Sequence, residues 1–319
     1  MRVAAIDCGT NTIRLLVART PEQSENAGRL VELTRTLRYV RLGQGVDATG
    51  RFHPDALART MAAVEEYAAL ITELDVSRIR MVATSAARDA GNRAEFFTGV
   101  TDRLGVTPEV ITGDEEATLS YLGATGDLDI PRASSGTSRP SSSSRCLVMD
   151  IGGGSTEFVL GEGDRIETAV SLDIGSVRLT ERFLHDDPPT PDQLNAATTL
   201  IDEQLDSTGI TFDQIDTWVG VAGTVTTLSA IHQQLPAYDR ALVHGSTLTG
   251  GDIAAWTARL AAMDAAARAA IPTLPPQRAD VIAAGALITN RVARRTGREL
   301  RVSESDILDG IALRLADLG

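Results

Sequence analysis

Apolar and polar positions alternate tellingly from the first residues. Val3-Ala4-Ala5-Ile6 runs apolar into Asp7, Cys8-Gly9-Thr10-Asn11-Thr12 is small and polar, and Ile13-Arg14-Leu15-Leu16-Val17 is largely apolar again. Two such runs around turn-forming residues predict a β-hairpin. The same grammar returns at Leu147-Val148-Met149-Asp150, Ile151-Gly152-Gly153-Gly154-Ser155-Thr156 and Glu157-Phe158-Val159-Leu160. In both places an apolar strand ends in aspartate and enters a Gly/hydroxyl turn. Recurrence at about half the chain length predicts a duplicated domain.

Strand and helix patterns alternate elsewhere. Leu57, Met61, Val64, Ala68 and Ile71 keep helical spacing after Pro54. Ile79 to Ala83 predicts a buried strand, Val106 to Ile111 another, and a helix follows from about Thr112. The stretch 132–144 is rich in serine and arginine, cannot bury apolar surface, and predicts a surface loop near a domain junction. Thr190-Pro191-Asp192-Gln193 predicts a capped helix start, with Leu194, Ala197, Ile201 and Leu205 on one face. Thr217 to Val221 predicts a strand running into Ala222-Gly223-Thr224. Strands and helices alternating in both halves predict two α/β domains, and 319 residues is about twice a typical domain length.

Composition narrows the function classes. Lys+Arg and Asp+Glu number 30 and 43, a formal charge of −13, which argues against nucleic acid or a membrane surface as partner. All the basic residues are arginine. Without lysine there is no Walker A loop and no Schiff-base chemistry. A phosphate ligand would have to be held by arginine, backbone N–H groups or a metal ion. No apolar run approaches the ~18 residues that span a bilayer, and the apolar start is too short for a signal-peptide core. Cys8 and Cys146 form no disulfide framework, so a reducing cytoplasm is the expected compartment. Cys8 reads as a small filler in the first turn. His53, His185, His232 and His244 lack ligand spacing and support neither a zinc site nor a histidine-based hydrolase.

The first loop, Gly9, Thr10, Asn11 and Thr12 after Asp7, reads as a hairpin turn or as a phosphate cradle of backbone amides. The second is more pointed: Gly152, Gly153 and Gly154 leave the backbone bare beside Ser155 and Thr156, with Asp150 and Glu157 on either side. Two such loops from two domains would face a common cleft and clamp a chain of phosphates. Asp114-Glu115-Glu116 follows Thr112, and acids in a first turn suit the helix dipole and a Thr112/Glu115 capping box. A carboxylate there would equally serve as general base on water. Ser85 reads as a cap with Arg88 in the first helical turn, a mild electrostatic misfit that favours a phosphate ligand for Arg88. Gly223 and Thr224 suit a tight βα connection or a nucleotide approach.

Together, Ala5 to Thr12, Thr84 to Ala90, Thr112 to Ala117, Asp150 to Glu157, Gly175 to Glu181 and Gly220 to Thr227 resemble the exopolyphosphatase/guanosine pentaphosphate phosphohydrolase family over nearly the whole chain. The resemblance is to its short form, without the extra C-terminal helical region. It implies a two-domain actin/hexokinase-like (ribonuclease H-like) α/β fold with an interdomain cleft. The domains would be 1–124 and 125–302, with a C-terminal helix at about 303–319 packing back on the first. It implies Glu116 as general base, with Asp150 and Glu157 as carboxylates that hold Mg²⁺ or Mn²⁺ or orient water, and Asp7 as a further metal carboxylate. Arg88, Asn11, Thr12 and the Gly153–Ser155 turn would hold phosphate. The implied activity is release of terminal orthophosphate from inorganic polyphosphate, with guanosine pentaphosphate as the alternative substrate, nucleotides as further possible ligands, and a homodimer as the assembly. A kinase of the same superfamily and a non-hydrolysing polyphosphate- or nucleotide-binding regulator are the rival readings.

Overall fold

A computed structural model of the chain describes residues 1–21, 30–128, 144–163 and 165–317. The chain divides into two compact units, Met1–Asp127 with Ser305–Gly319, and Leu128–Glu304. The stretch 132–144 lies outside the described residues, Ser144 excepted. Among the described residues no helix is long and apolar enough to cross a membrane.

In the first unit, β1 (Arg2–Cys8) and β2 (Thr12–Arg19) form the expected hairpin, with Asp7 opposite Arg14. β3 (Val31–Tyr39) adds antiparallel to β2, while β4 (Arg78–Ala83) lies parallel to β1 and β5 (Glu109–Val110) parallel to β4. The sheet order is β3-β2-β1-β4-β5. The strand expected over 106–111 shrinks to two paired residues because Pro108 has no N–H to give the ladder.

β1 is buried on both faces, and its period of two sorts its side chains between two cores. Ala4, Ile6 and Cys8 join the core that holds Val64, Tyr67, Phe96 and Val100 from the helices Pro54–Glu73 and Arg93–Leu104. Val3 and Ala5 join Leu119 and the residues Ile307, Leu308, Ile311 and Leu315 of the helix Ile307–Asp317. Asp7 and Arg14 fall on this second face. The buried side of the helix Pro54–Glu73 is Ala56, Thr60, Ala63, Val64, Tyr67 and Ile71, so the expected stripe is turned toward Tyr67. The turn has a polar cause: the Tyr67 hydroxyl donates to the Ile13 carbonyl at 2.9 Å, and a buried phenol takes the position that satisfies it.

The second unit repeats the plan. β6 (Arg145–Ile151), β7 (Thr156–Glu162) and β8 (Arg165–Leu172) form an antiparallel meander, and β9 (Thr217–Val221) lies parallel to β6. β10 (Thr247–Leu248) pairs antiparallel with β11 (Leu300–Val302), which lies parallel to β9. The order is β10-β11-β9-β6-β7-β8. Read from β8, the first five strands reproduce the order and directions of the first unit's sheet, and β10 is an added edge. Three antiparallel strands followed by two parallel ones is the ribonuclease H-like arrangement. The predicted capping box at Thr190 opens the helix Pro191–Ser207, whose Ala197, Ile201 and Leu205 join Leu147, Met149, Ile151 and Phe158 in the core.

Candidate active site

Both hairpin turns are closed by the same bond. The Gly9 amide donates to the Thr12 carbonyl at 2.9 Å, and the Gly152 amide donates to the Ser155 carbonyl at 3.0 Å. The carbonyls of the first loop point back into the protein: Asn11 accepts from the Val40 and Arg41 amides, and Thr10 from the Gly43 amide. Among the described residues no acceptor takes the amides of Thr10 and Asn11. The second loop is alike. Gly152 O accepts from the Ser176 amide, and Gly153 O from the Val177 and Arg178 amides. Arg178 Nε reaches the Gly154 carbonyl at 2.7 Å, and the Thr156 hydroxyl donates to the Ile174 carbonyl. The amides of Gly153, Gly154 and Ser155 donate to no described residue. Each turn therefore spends its carbonyls on the fold and keeps adjacent N–H groups for an anion.

Gly175 makes the second turn possible. A Cβ there would lie 2.3 Å from the Gly153 carbonyl oxygen, so only glycine lets the start of the helix Ser176–Phe183 lie flat against the loop.

Asp150 and Glu157 face each other across β6 and β7 and are 7% and 1% exposed. Directly opposed residues place their Cβ atoms about 5 Å apart on one face of the sheet. Ser171 Oγ donates to Glu157 Oε1 at 2.7 Å. Two carboxylates side by side in the interior need a cation or a shared proton between them, so the pair suits a divalent ion. Among the described residues no group of three or more His, Cys, Asp or Glu can hold a metal, which excludes a full side-chain cage there. Two carboxylates with the rest water and phosphate is the usual manner of Mg²⁺.

Asp7 has different chemistry. Its Oδ2 accepts from Arg14 Nη2 at 2.6 Å and Nε at 3.1 Å, and Arg14 Nη1 reaches Asp306 at the start of the C-terminal helix. Asp309 takes Arg35 at 2.6 Å and accepts from the Asp306 amide. Burial pushes the Asp7 carboxyl above its ordinary range despite Arg14. Burial also opposes ionisation of Asp306, but the charges of Arg14 and Arg35 outweigh it and hold that carboxyl below the usual range. Asp7 is an ion-pair partner here, with one oxygen already taken by a cation.

Glu116 sits in the first turn of the helix Gly113–Asp127 and is 9% exposed. Thr112 caps the helix, accepting from the Glu115 amide at 3.2 Å. Only this half of the expected box forms, because the Glu115 carboxylate is drawn instead to Arg80 at 2.7 Å. Arg88 Nη1 donates to Glu116 Oε2 at 2.8 Å and to the Ile111 carbonyl at 3.0 Å. The predicted placement of Arg88 is corrected: the helix Ser85–Asp89 has only five residues, Thr84 holds the cap position, and Arg88 lies in the last turn. The dipole misfit therefore disappears and the Glu116 pair explains the side chain's position. Arg88 Nε and Nη2 donate to no described residue.

Gly223 and Thr224 begin the helix Ala222–His232 directly after β9. Ala222 takes φ 65°, a left-handed conformation that costs a non-glycine residue about 1–2 kcal/mol. The Arg278 guanidinium lies against Gly223, where a Cβ would meet its Nη2 at 1.9 Å. Arg278 has no sequence signal, since the contact joins segments 55 residues apart. Arg14 had one: Asp7-x₆-Arg14 and Asp150-x₆-Glu157 share a spacing, so hairpin register pairs them alike.

The chain matches the model of the "Ppx/GppA phosphatase family" over residues 17–317. It is 49% identical to Exopolyphosphatase 2 of Mycobacterium tuberculosis, across 99% of this chain and 98% of that protein. Among solved structures, an exopolyphosphatase-like protein superposes with a TM-score of 0.90 at 39% identity, covering 100% of this chain and 99% of the other. The Aquifex aeolicus Ppx/GppA family member gives a TM-score of 0.81 at 33% identity, covering 100% and 98%.

Proposed function

The chain belongs to the Ppx/GppA phosphatase family, and on that premise we propose that it is an exopolyphosphatase, releasing terminal orthophosphate from inorganic polyphosphate. The observation that carries the reading is the Arg88–Glu116 pair. One guanidinium nitrogen fixes the buried carboxylate, and the remaining N–H groups of Arg88 are left for a phosphoryl oxygen. A single side chain thus sets both the base and the group under attack.

In the proposed reaction Glu116 takes a proton from water as its oxygen bonds to the terminal phosphorus. The bridging P–O bond breaks, and the chain leaves one phosphate shorter. Phosphoryl transfer is mostly positioning and charge neutralisation, and the unclaimed amides at Thr10 and Asn11, in the same unit as Glu116 and Arg88, would supply the positioning. A magnesium or manganese ion held by Asp150 and Glu157 would neutralise phosphate charge, which a lysine-free chain of net charge −13 needs. Asp7, held by Arg14, is outside this metal set.

The test is phosphate release from short and long polyphosphates, compared with guanosine pentaphosphate and ATP, with and without Mg²⁺. Glu116→Gln should lower turnover about 10²- to 10⁴-fold, the general-base range, while polyphosphate still binds. Near-wild-type hydrolysis by that variant would refute the assignment. Release from guanosine pentaphosphate alone would transfer the same chemistry to the alternative substrate. Phosphorylation of an acceptor by ATP, with no phosphate freed in its absence, would make the protein a kinase.

A further inference from the structure

Ser85, which the sequence suggests as a helix cap, makes no cap. Its hydroxyl lies 2.9 Å from Thr10 Oγ1, 75 residues away and inside the first loop. Ser85 and Thr10 are 3% and 7% exposed. Among the described residues neither hydroxyl has another partner.

Two hydroxyls carry two protons, and their mutual bond uses one. The other proton is left without an acceptor, which costs about 1–3 kcal/mol when it is buried. If Thr10 donated, the leftover proton would be that of Ser85, the more deeply buried of the two. If Ser85 donates, the leftover proton is that of Thr10, whose own amide and that of Asn11 are also unclaimed. An anion at the loop would then accept from all three. The Thr10 carbonyl is already fixed by the Gly43 amide at 2.9 Å, so the side chain is the loop's remaining freedom. Ser85 also lies three residues before Arg88, whose guanidinium holds Glu116.

We propose that Ser85 is a positioning residue: its hydroxyl donates to Thr10 Oγ1 and thereby turns the Thr10 proton toward the bound phosphate, joining the phosphate loop to the turn that carries Arg88. The proposal rests on the phosphohydrolase reading above. It differs from ordinary packing in one respect, because Ser85 acts only through the Thr10 hydroxyl.

A double-mutant cycle tests this. Ser85→Ala, Thr10→Val and the double variant are compared with wild type for kcat/KM on polyphosphate and for polyphosphate Kd by calorimetry, with melting curves as the folding control. Ser85→Ala should lower kcat/KM about tenfold or more, the range for a hydrogen bond to a charged group. In the Thr10→Val background the same change should have no further effect. Ser85→Cys, similar in shape with a weak donor, should fall between wild type and Ser85→Ala and serves if the alanine variant does not fold. Wild-type activity in Ser85→Ala, or an undiminished Ser85 effect in the Thr10→Val background, overturns the proposal and leaves the phosphohydrolase reading standing. If wild type binds polyphosphate without hydrolysing it, that reading fails and the cycle is decided by Kd. If wild type neither binds nor hydrolyses, both fall.

Discussion

In the first hairpin the residue across from the strand-end aspartate is Arg14; in the second it is Glu157. The two hairpins share their turn bond, their unclaimed amides and the spacing between the opposed residues. What differs is where the balancing charge comes from. The first neutralises its aspartate internally and passes the ion pair on to Asp306 and Asp309. The second places two acids together, and on the proposed reading a metal ion would supply their balance. The repeated plan therefore carries one hairpin that holds an ion pair and one that, on the proposed reading, would hold a metal. A single opposed position separates them.

The largest effect should come from making the second hairpin like the first. Glu157→Arg would pair with Asp150, and calorimetry should then show Mg²⁺ binding lost and polyphosphate hydrolysis reduced by about three orders of magnitude or more. A variant that keeps metal-dependent activity would break the comparison. Next is Arg14→Met, which leaves Asp7 and Asp306 without their shared cation. Stranding a buried charge costs about 3–5 kcal/mol, to be read from denaturant unfolding, while Mg²⁺ affinity stays unchanged. A loss of metal affinity instead would mean that Asp7 is a ligand after all.

The smallest effect is in acid. Asp306 is held below the usual carboxylate range by Arg14 and Arg35 despite its burial. Its ionisation therefore adds stability that is complete above its unfolded pKa, near 3.8, and is lost as pH falls through the lower folded value. Asp306→Asn should lower stability at neutral pH and flatten its decline below about pH 4, followed by denaturant unfolding at each pH. An unchanged slope would remove Asp306 from the network.

Local chemistry was legible in the sequence. The hairpins announced themselves by apolar runs broken by glycine and hydroxyl residues, and the Thr190 capping box by a four-residue pattern. Choices between competing partners were not. Glu115 had the spacing to complete a capping box, yet Arg80 on β4 claims it. Ser85 was a fair cap by type, but a hydroxyl 75 residues away competes better. Arg14–Asp306 and Arg278–Gly223 join distant segments, where spacing carries no information. The candidate site was therefore visible as loops, acids and Arg88, while the partners that fix their geometry needed the fold.

The helix Ile307–Asp317 packs on the strands at the opposite end of the sequence. A ribosome making this protein releases β1 and β2 well before the segment that covers one face of their sheet. The continuous stretch Leu128–Glu304 has its own core in hand by then. The order of birth is thus reversed in the order of completion: the sheet built on β1 and β2 waits, half covered, for a helix made after the whole second unit.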